Sequence, residues 1–254
     1  MTECAGAITQ TPHNLGQKPG SVGVPVALAE IAVLADGRLH RGPSPTGEIV
    51  TRGPQVFAGY ADGRAASFHE GWLKSGDLGR IGAEGEVYVI GRIKDVIIRG
   101  GHNIDPAGIE DAAMGFPGVS LAAAVGRPDA YAGETPMLFV SPSPGQSIDL
   151  AALGRFVEER ILEPPARPRL IEIVAEMPTT PVGKIFKPRL REIAAEGAAR
   201  ELIASALPGA KVEIRALTDP DRGLILRAKA APAVHNALRV ELERLPVAIE
   251  VADA

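Results

Sequence analysis

The run Trp72-Leu73-Lys74-Ser75-Gly76-Asp77-Leu78-Gly79 is followed, after Gly85-Glu86-Val87-Tyr88-Val89-Ile90, by Gly91-Arg92-Ile93-Lys94-Asp95-Val96-Ile97-Ile98-Arg99-Gly100-Gly101-His102-Asn103-Ile104. The texture of the chain changes across it. On its N-terminal side, short apolar segments (Ala29–Leu34, Gly47–Thr51, Glu86–Ile90) alternate with Gly, Pro, Asp and Ser clusters, which reads as strands between turns and a β-rich unit resembling an incomplete barrel. On its C-terminal side, Val96–Ile98, Leu121–Val125, Met137–Val140 and Leu170–Val174 read as strands, and Pro106–Met114 and Leu150–Ile161 as helices, the first with proline in its opening turn. The expected fold is α+β.

A third texture begins after Lys187. An amphipathic helix is expected from about Pro188 to Leu207, with Leu190, Ile193, Ala194, Leu202 and Ile203 near helical spacing. Strands Lys211–Leu217 and Gly223–Lys229 flank the turn signal Asp219-Pro220-Asp221, and a helix from about Pro232 to Leu245 and a strand Val247–Val251 close an αββαβ extension.

Composition bounds the class. The 254 residues are 45% hydrophobic and 23% charged, a globular balance with two domains expected from length. With 29 Gly and 22 Pro and no G-X-Y period, many short elements joined by tight turns follow. Twenty-seven Lys+Arg against 31 Asp+Glu leave a net charge of −4, which argues against a dedicated nucleic-acid binder. The single cysteine, Cys4, has no zinc-type spacing around it and fits a reducing cytoplasm. The apolar stretch Gly23–Ala35, interrupted by Glu30, is too short for a transmembrane segment.

Several polar residues read two ways. Asp77, after Ser-Gly at the end of a β segment, is a turn-former capping local backbone or a bidentate acceptor for vicinal hydroxyls. Arg92 is a salt-bridged surface arginine or a rigid donor fork for an anionic ligand. Lys94 is a surface lysine at the change of texture or a point that absorbs backbone rotation. Lys184, in Pro178-Thr179-Thr180-Pro181-Val182-Gly183-Lys184, is an exposed loop lysine or a cation delivered by a glycine-hinged loop. Gly100-Gly101 is a turn or a place where backbone approaches a slender ligand. His235 reads as a surface residue.

Taken in order, these segments resemble the adenylate-forming (AMP-binding) superfamily of acyl-CoA synthetases, luciferases and peptide-synthetase adenylation domains, most closely its fatty acyl-CoA synthetase branch. Gly20-Ser21-Val22-Gly23-Val24-Pro25 and Gly47-Glu48-Ile49-Val50-Thr51-Arg52-Gly53-Pro54 with Gly59-Tyr60 extend the resemblance from Met1 to about Arg191. It implies that Thr2 contacts phosphate, that Glu3 helps hold Mg²⁺, and that Asp77 and Arg92 bind the nucleotide ribose and phosphate. It implies Lys94 as a hinge, Gly100, Gly101 and His102 against the pantetheine arm of coenzyme A, and Lys184 bridging the acid's carboxylate and the α-phosphate of ATP. Ser75 stands where threonine is usual, and His102 where glutamate is common in this branch. ATP, Mg²⁺, coenzyme A and a small-molecule carboxylic acid are the implied ligands.

The family's Ser/Thr/Gly-rich phosphate loop has no counterpart in the 254 residues. The resemblance therefore implies a remnant of the large domain at 1–92, the mobile C-terminal domain at 93–190 and an extension at 191–254. Taken alone, such a chain is expected to be incomplete for catalysis and to expose apolar surface. Two alternatives stand beside this reading: a non-catalytic module complementing a separate large domain, and an adenylation domain whose acceptor is a carrier-protein thiol.

Overall fold

A computed structural model describes residues 1–12, 16, 18–62, 66–219 and 222–253. The chain divides into two compact units, Met1–Lys94 and Asp95–Ala254.

In the first unit, β1 (Thr9–Gln10) pairs with β2 (Val24–Pro25) as a two-stranded ribbon. The main sheet comprises β3 (Glu30–Ala35), β4 (Arg38–His40), β5 (Gly47–Arg52), β6 (Phe68–His69), β7 (Trp72–Ile81) and β8 (Val87–Arg92). Its order is β4-β3-β5-β7, and β6 and β8 share the far edge of β7. All pairings in this sheet are antiparallel. Strand alternation sends Ile31, Val33, Ile49, Ile81 and Val87 to one face and Ala32, Val50 and Trp72 to the other, so both faces carry a buried cluster. Val22, Leu28, Phe68, Val89 and Ile93 remain exposed on this unit.

β7 differs from the sequence reading. It runs unbroken through Trp72–Ile81, so Asp77 lies inside a strand and not at the end of one. The reason is that the Ser-Gly pair is absorbed as a bulge where the β5–β7 register shifts between Glu48 and Val50; a separate shift in β7–β8, between Leu78 and Gly79, places the extra residue Ile90 on β8.

The second unit opens with the hairpin β9 (Ile97–Arg99) and β10 (His102–Ile104), then α1 (Pro106–Met114), β11 (Val119–Asp129), β12 (Gly133–Pro142), α2 (Leu150–Arg160) and β13 (Leu170–Ile173). The sheet order is β10-β9-β12-β11, with β13 parallel to β12. α1 and α2 start on aspartate caps: Asp105 accepts from the Ala107 N–H, and Asp149 from those of Ala151 and Ala152. Ala122, Ala124, Leu138 and Val140 face the helical pair, while Ala123, Val125, Met137 and Phe139 face the opposite way.

That second face is covered by α3 (Lys187–Ala206), which leads into β14 (Glu213–Asp219), β15 (Gly223–Ala230), α4 (His235–Leu242) and β16 (Ala248–Asp253). β14 and β15 are antiparallel and β16 returns parallel to β15 across α4, which gives the expected αββαβ order. Pro220 and Asp221 of the expected turn lie outside the described residues. Asp219 pairs with Gly223, and the Asp219 carboxylate accepts from the Arg222 N–H.

α3 is not the single-faced amphipathic helix its large apolar residues suggest. Leu190 and Ala194 pack on the β11–β12 face, whereas Ala195, Ala198, Ala199 and Ile203 pack with Ile214, Leu226 and Leu238 of the extension. Small alanines let a second sheet approach the helix. The described helices include none long and apolar enough to cross a membrane.

Candidate functional site

The Ser75–Asp77 bulge and the end of β8 build the site of the first unit. Asp77 and Arg92 are directly opposed across β7 and β8, and the Arg92 Nε lies 3.0 Å from the Asp77 Oδ1. Arg92 also donates to the Ser75 carbonyl at 3.4 Å. The Asp77 N–H donates to the Ser75 Oγ at 3.0 Å and the Gly76 N–H to the Glu48 Oε1 at 3.2 Å. Gly76 has φ +73°, a conformation that a Cβ disfavours. Every group of the bulge in these contacts is held by a side chain, as a broken ladder requires.

A cavity of about 590 Å³ opens here, walled by Glu3, Glu48, Tyr60, Lys74, Ser75, Gly76, Arg92 and Lys94 among others. Asp77 is not in its wall and meets it through Arg92. Glu3 sits in a short 3₁₀ turn, Thr2–Cys4, fixed to the next segment twice: the Phe57 N–H donates to its carbonyl at 2.8 Å and the Tyr60 hydroxyl to its Oε1 at 2.9 Å. The Phe57 and Tyr60 rings meet edge to face at 4.8 Å. The Glu3 carboxyl is held below its ordinary range, first by its own backbone N–H, then by the Tyr60 hydroxyl. An ionised carboxylate on a cavity wall suits a hard cation that takes one or two protein oxygens and completes its shell with water and substrate phosphates. Among the described residues no group of three His, Cys, Asp or Glu is gathered for an all-protein metal cage. Thr2 is exposed in the same turn and outside the cavity wall.

The wall also holds polar residues to which the sequence assigned no role, among them Tyr60, Glu48 and Lys74. Tyr60 orients Glu3, and Glu48 and Lys74 form an ion pair at 2.9 Å. Tyr60 and Glu48 both lay in segments that carried the resemblance, Gly59-Tyr60 and Gly47–Pro54, and Lys74 in Trp72–Gly79, but none of the three had a role of its own.

In the second unit, Gly100 and Gly101 (φ +55° and +85°) form the two-residue turn between β9 and β10, with Arg99 opposite His102. Positive φ at both positions explains the pair by the hairpin itself. A Cβ at either would meet nothing within 4 Å, so the tip is open. His102 is exposed with its Nδ1 3.7 Å from the Glu163 Oε1.

Lys184 is exposed at the foot of an ordered turn. The Gly183 N–H donates to the Thr180 carbonyl at 2.8 Å, the Thr180 N–H to the Lys184 carbonyl at 2.7 Å and the Lys184 N–H to the Thr180 Oγ1 at 3.1 Å. Thr179 and Ile185 bridge in antiparallel fashion, and Ile185 packs on the cluster of Met177, Phe139 and Leu190. The segment carrying Lys184 is a hairpin that leads directly into α3. Lys187 makes a 2.8 Å ion pair with Glu110, whose Oε1 also accepts from the Ala124 N–H. Lys94 lies in the 3₁₀ turn Ile93–Asp95, and the division between the units falls immediately after it. His235, at the start of α4, is half-buried, with its Nε2 2.9 Å from the Ala230 carbonyl oxygen.

Residues 1–61 match the family model described as AMP-binding enzyme, and residues 108–184 match that of the AMP-binding enzyme C-terminal domain. The chain belongs to the AMP-binding, adenylate-forming family. Among its relatives, marinolic acid–CoA ligase of Pseudoalteromonas sp. (strain SANK 73390) is 37% identical over 96% of this chain and 40% of its own length. A long-chain-fatty-acid–CoA ligase of Bacillus subtilis (strain 168) is 39% identical over 69% of this chain and 32% of its own. Among solved structures, o-succinylbenzoate-CoA synthetase (MenE) of Bacillus subtilis with an acyl-adenylate aligns at TM-score 0.68 and 32% identity, over 76% of this chain and 40% of that one. ATP-bound MatB from Rhodopseudomonas palustris aligns at 0.62 and 30%, over 72% and 37%. The chain spans 32–40% of the length of the curated relatives named. The marinolic acid–CoA ligase match takes in 96% of this AMP-binding chain and so includes most of residues 191–254.

Proposed function

We propose that this chain forms the ribose-binding and lysine-bearing part of an AMP-forming acid–CoA ligase, which joins a carboxylic acid to ATP with release of pyrophosphate and then passes the acyl group from AMP to coenzyme A. The observation that carries the reading is the bulge-mounted Asp77–Arg92 pair beside a cavity whose wall holds an ionised Glu3. In this reading Asp77 accepts from the ribose hydroxyls, Arg92 and Thr2 meet phosphate, and Glu3 is the protein oxygen for Mg²⁺, which screens phosphate charge when bound. Lys184 stabilises the negative charge that accumulates as carboxylate oxygen attacks the α-phosphorus. Lys94 is the hinge between the two poses that the half-reactions require. The open Gly100-Gly101 tip, with His102 beside it, receives the pantetheine arm.

The acid is proposed only as a class, because the relatives' names span marinolic, long-chain fatty and ferulic acids. Catalysis by the 254 residues alone is not expected, since no phosphate-cradling loop is in their sequence.

The test is pyrophosphate exchange and thioester formation, with the chain joined to or complemented by a family large domain. Lys184→Ala is expected to abolish exchange, by at least about 100-fold given the electrostatic share of such barriers, while largely sparing thioester formation from supplied acyl-adenylate. Equal loss of both half-reactions would remove Lys184 from this role, and robust exchange by the chain alone would overturn its incompleteness.

A further inference from the structure

The β5–β7 register leaves an unusual gap beside the nucleotide site. Glu48 pairs with Leu78 and Val50 with Lys74, so Ser75, Gly76 and Asp77 stand opposite Ile49 alone. A strand that gains residues over its partner loses ladder acceptors, and the unpaired N–H groups must find others. The Asp77 N–H turns back to the Ser75 Oγ, and the Gly76 N–H goes to the Glu48 carboxylate. The other Glu48 oxygen is 2.9 Å from the Lys74 ammonium, and the carboxylate is largely shielded, its side chain 13% exposed.

We infer that Glu48 is a positioning residue for nucleotide binding: its carboxylate, neutralised by Lys74, replaces the missing ladder acceptor at Gly76 and so fixes the direction in which Asp77 leaves β7. The inference rests on the proposed role of Asp77 toward the ribose. Glu48 itself touches neither Asp77 nor Arg92 in any hydrogen bond. It acts one residue earlier, on a glycine at φ +73° whose rotation would swing the following side chain. Lys74 engages the second oxygen.

The test is binding of AMP and of 2′,3′-dideoxy-AMP to the full chain by NMR titration, with amide exchange at Gly76 read in parallel. Wild type is expected to prefer AMP. Glu48→Ala is expected to weaken AMP about tenfold, the scale of one charge-assisted hydrogen bond, to leave dideoxy-AMP within about twofold, and to raise Gly76 exchange. Glu48→Gln keeps an acceptor oxygen and is expected to retain the preference. If the alanine variant does not fold, Glu48→Met, of similar shape without an oxygen, carries the same comparison. Equal weakening for both nucleotides would overturn the positioning role while leaving the ribose reading of Asp77 intact. Absence of any preference in wild type would overturn that reading and the inference together.

Discussion

Glu3 and Tyr60 illustrate what a single residue draws from its surroundings. The Glu3 carboxylate is oriented by one hydroxyl and one backbone segment, and its affinity for a proton is lowered first by its own N–H and next by Tyr60. Tyr60→Phe keeps the edge-to-face ring contact with Phe57 and removes only the donor. The Glu3 pKa is therefore expected to rise toward the ordinary carboxylate value without loss of the fold, a change that carboxyl-detected NMR titration reads directly. At this scale the sequence was unevenly legible. Gly100-Gly101 spelled its two-residue turn because positive φ at consecutive positions is a local demand that only such residues meet easily. Asp77 and Arg92 were visible in their order, yet their direct opposition depends on a bulge. Glu48 stood in a quoted motif, but its role was not legible: its bond to Gly76 spans 28 positions and exists only because of a register shift that neither segment encodes by itself.

Among the elements, the β7–β8 connection carries a large electrostatic shift. The Glu86 carboxylate takes the Lys18 ammonium at 2.8 Å on one oxygen and the Glu84 N–H at 2.9 Å on the other. Lys18, then the backbone N–H groups, hold its carboxyl at about 2. A folded pKa below the unfolded value of about 4.3 adds stability that is fully present above that value and disappears as pH falls through the folded one. Glu86→Gln is thus expected to flatten the acid limb of the stability curve between about pH 4.3 and 2, and to leave its slope near neutrality unchanged. Urea midpoints across that range check it. Most elements were legible because each has a local signature: short apolar runs between Gly, Pro, Asp and Ser clusters for β3 and β5, and proline at the start of α1. The second face of α3 was not, because alanine is too weak a hydrophobic signal to mark a buried surface until a sheet is seen against it.

Across the whole molecule, α3 makes the extension more than an appendage. It leaves the Lys184 hairpin, covers one sheet with Leu190 and Ala194, and covers another with Ala195, Ala199 and Ile203. Its acidic and basic residues also close the free edge of β14: Glu192 accepts from the Thr218 N–H, Glu196 from the Ala216 N–H, and Arg200 donates to the Ile214 carbonyl. Spaced four apart on one helical row, these side chains stand where another strand would pair, which protects the edge against association. A single continuous helix thus belongs to two cores, and neither core can lose it without exposing apolar surface. Leu226, fully buried opposite that helix, is the place to test the coupling. Leu226→Ala is expected to cost about 2–5 kcal/mol, as large-to-small changes in closed cores do. If the two cores unfold together through α3, the loss lowers one shared transition, and amide protection falls alongside it in β11 and β12 as well as in β14 and β15. Protection retained in β11 and β12 while the extension opens would instead make residues 191–254 an independent folding unit, and hydrogen exchange on the full chain separates the two outcomes.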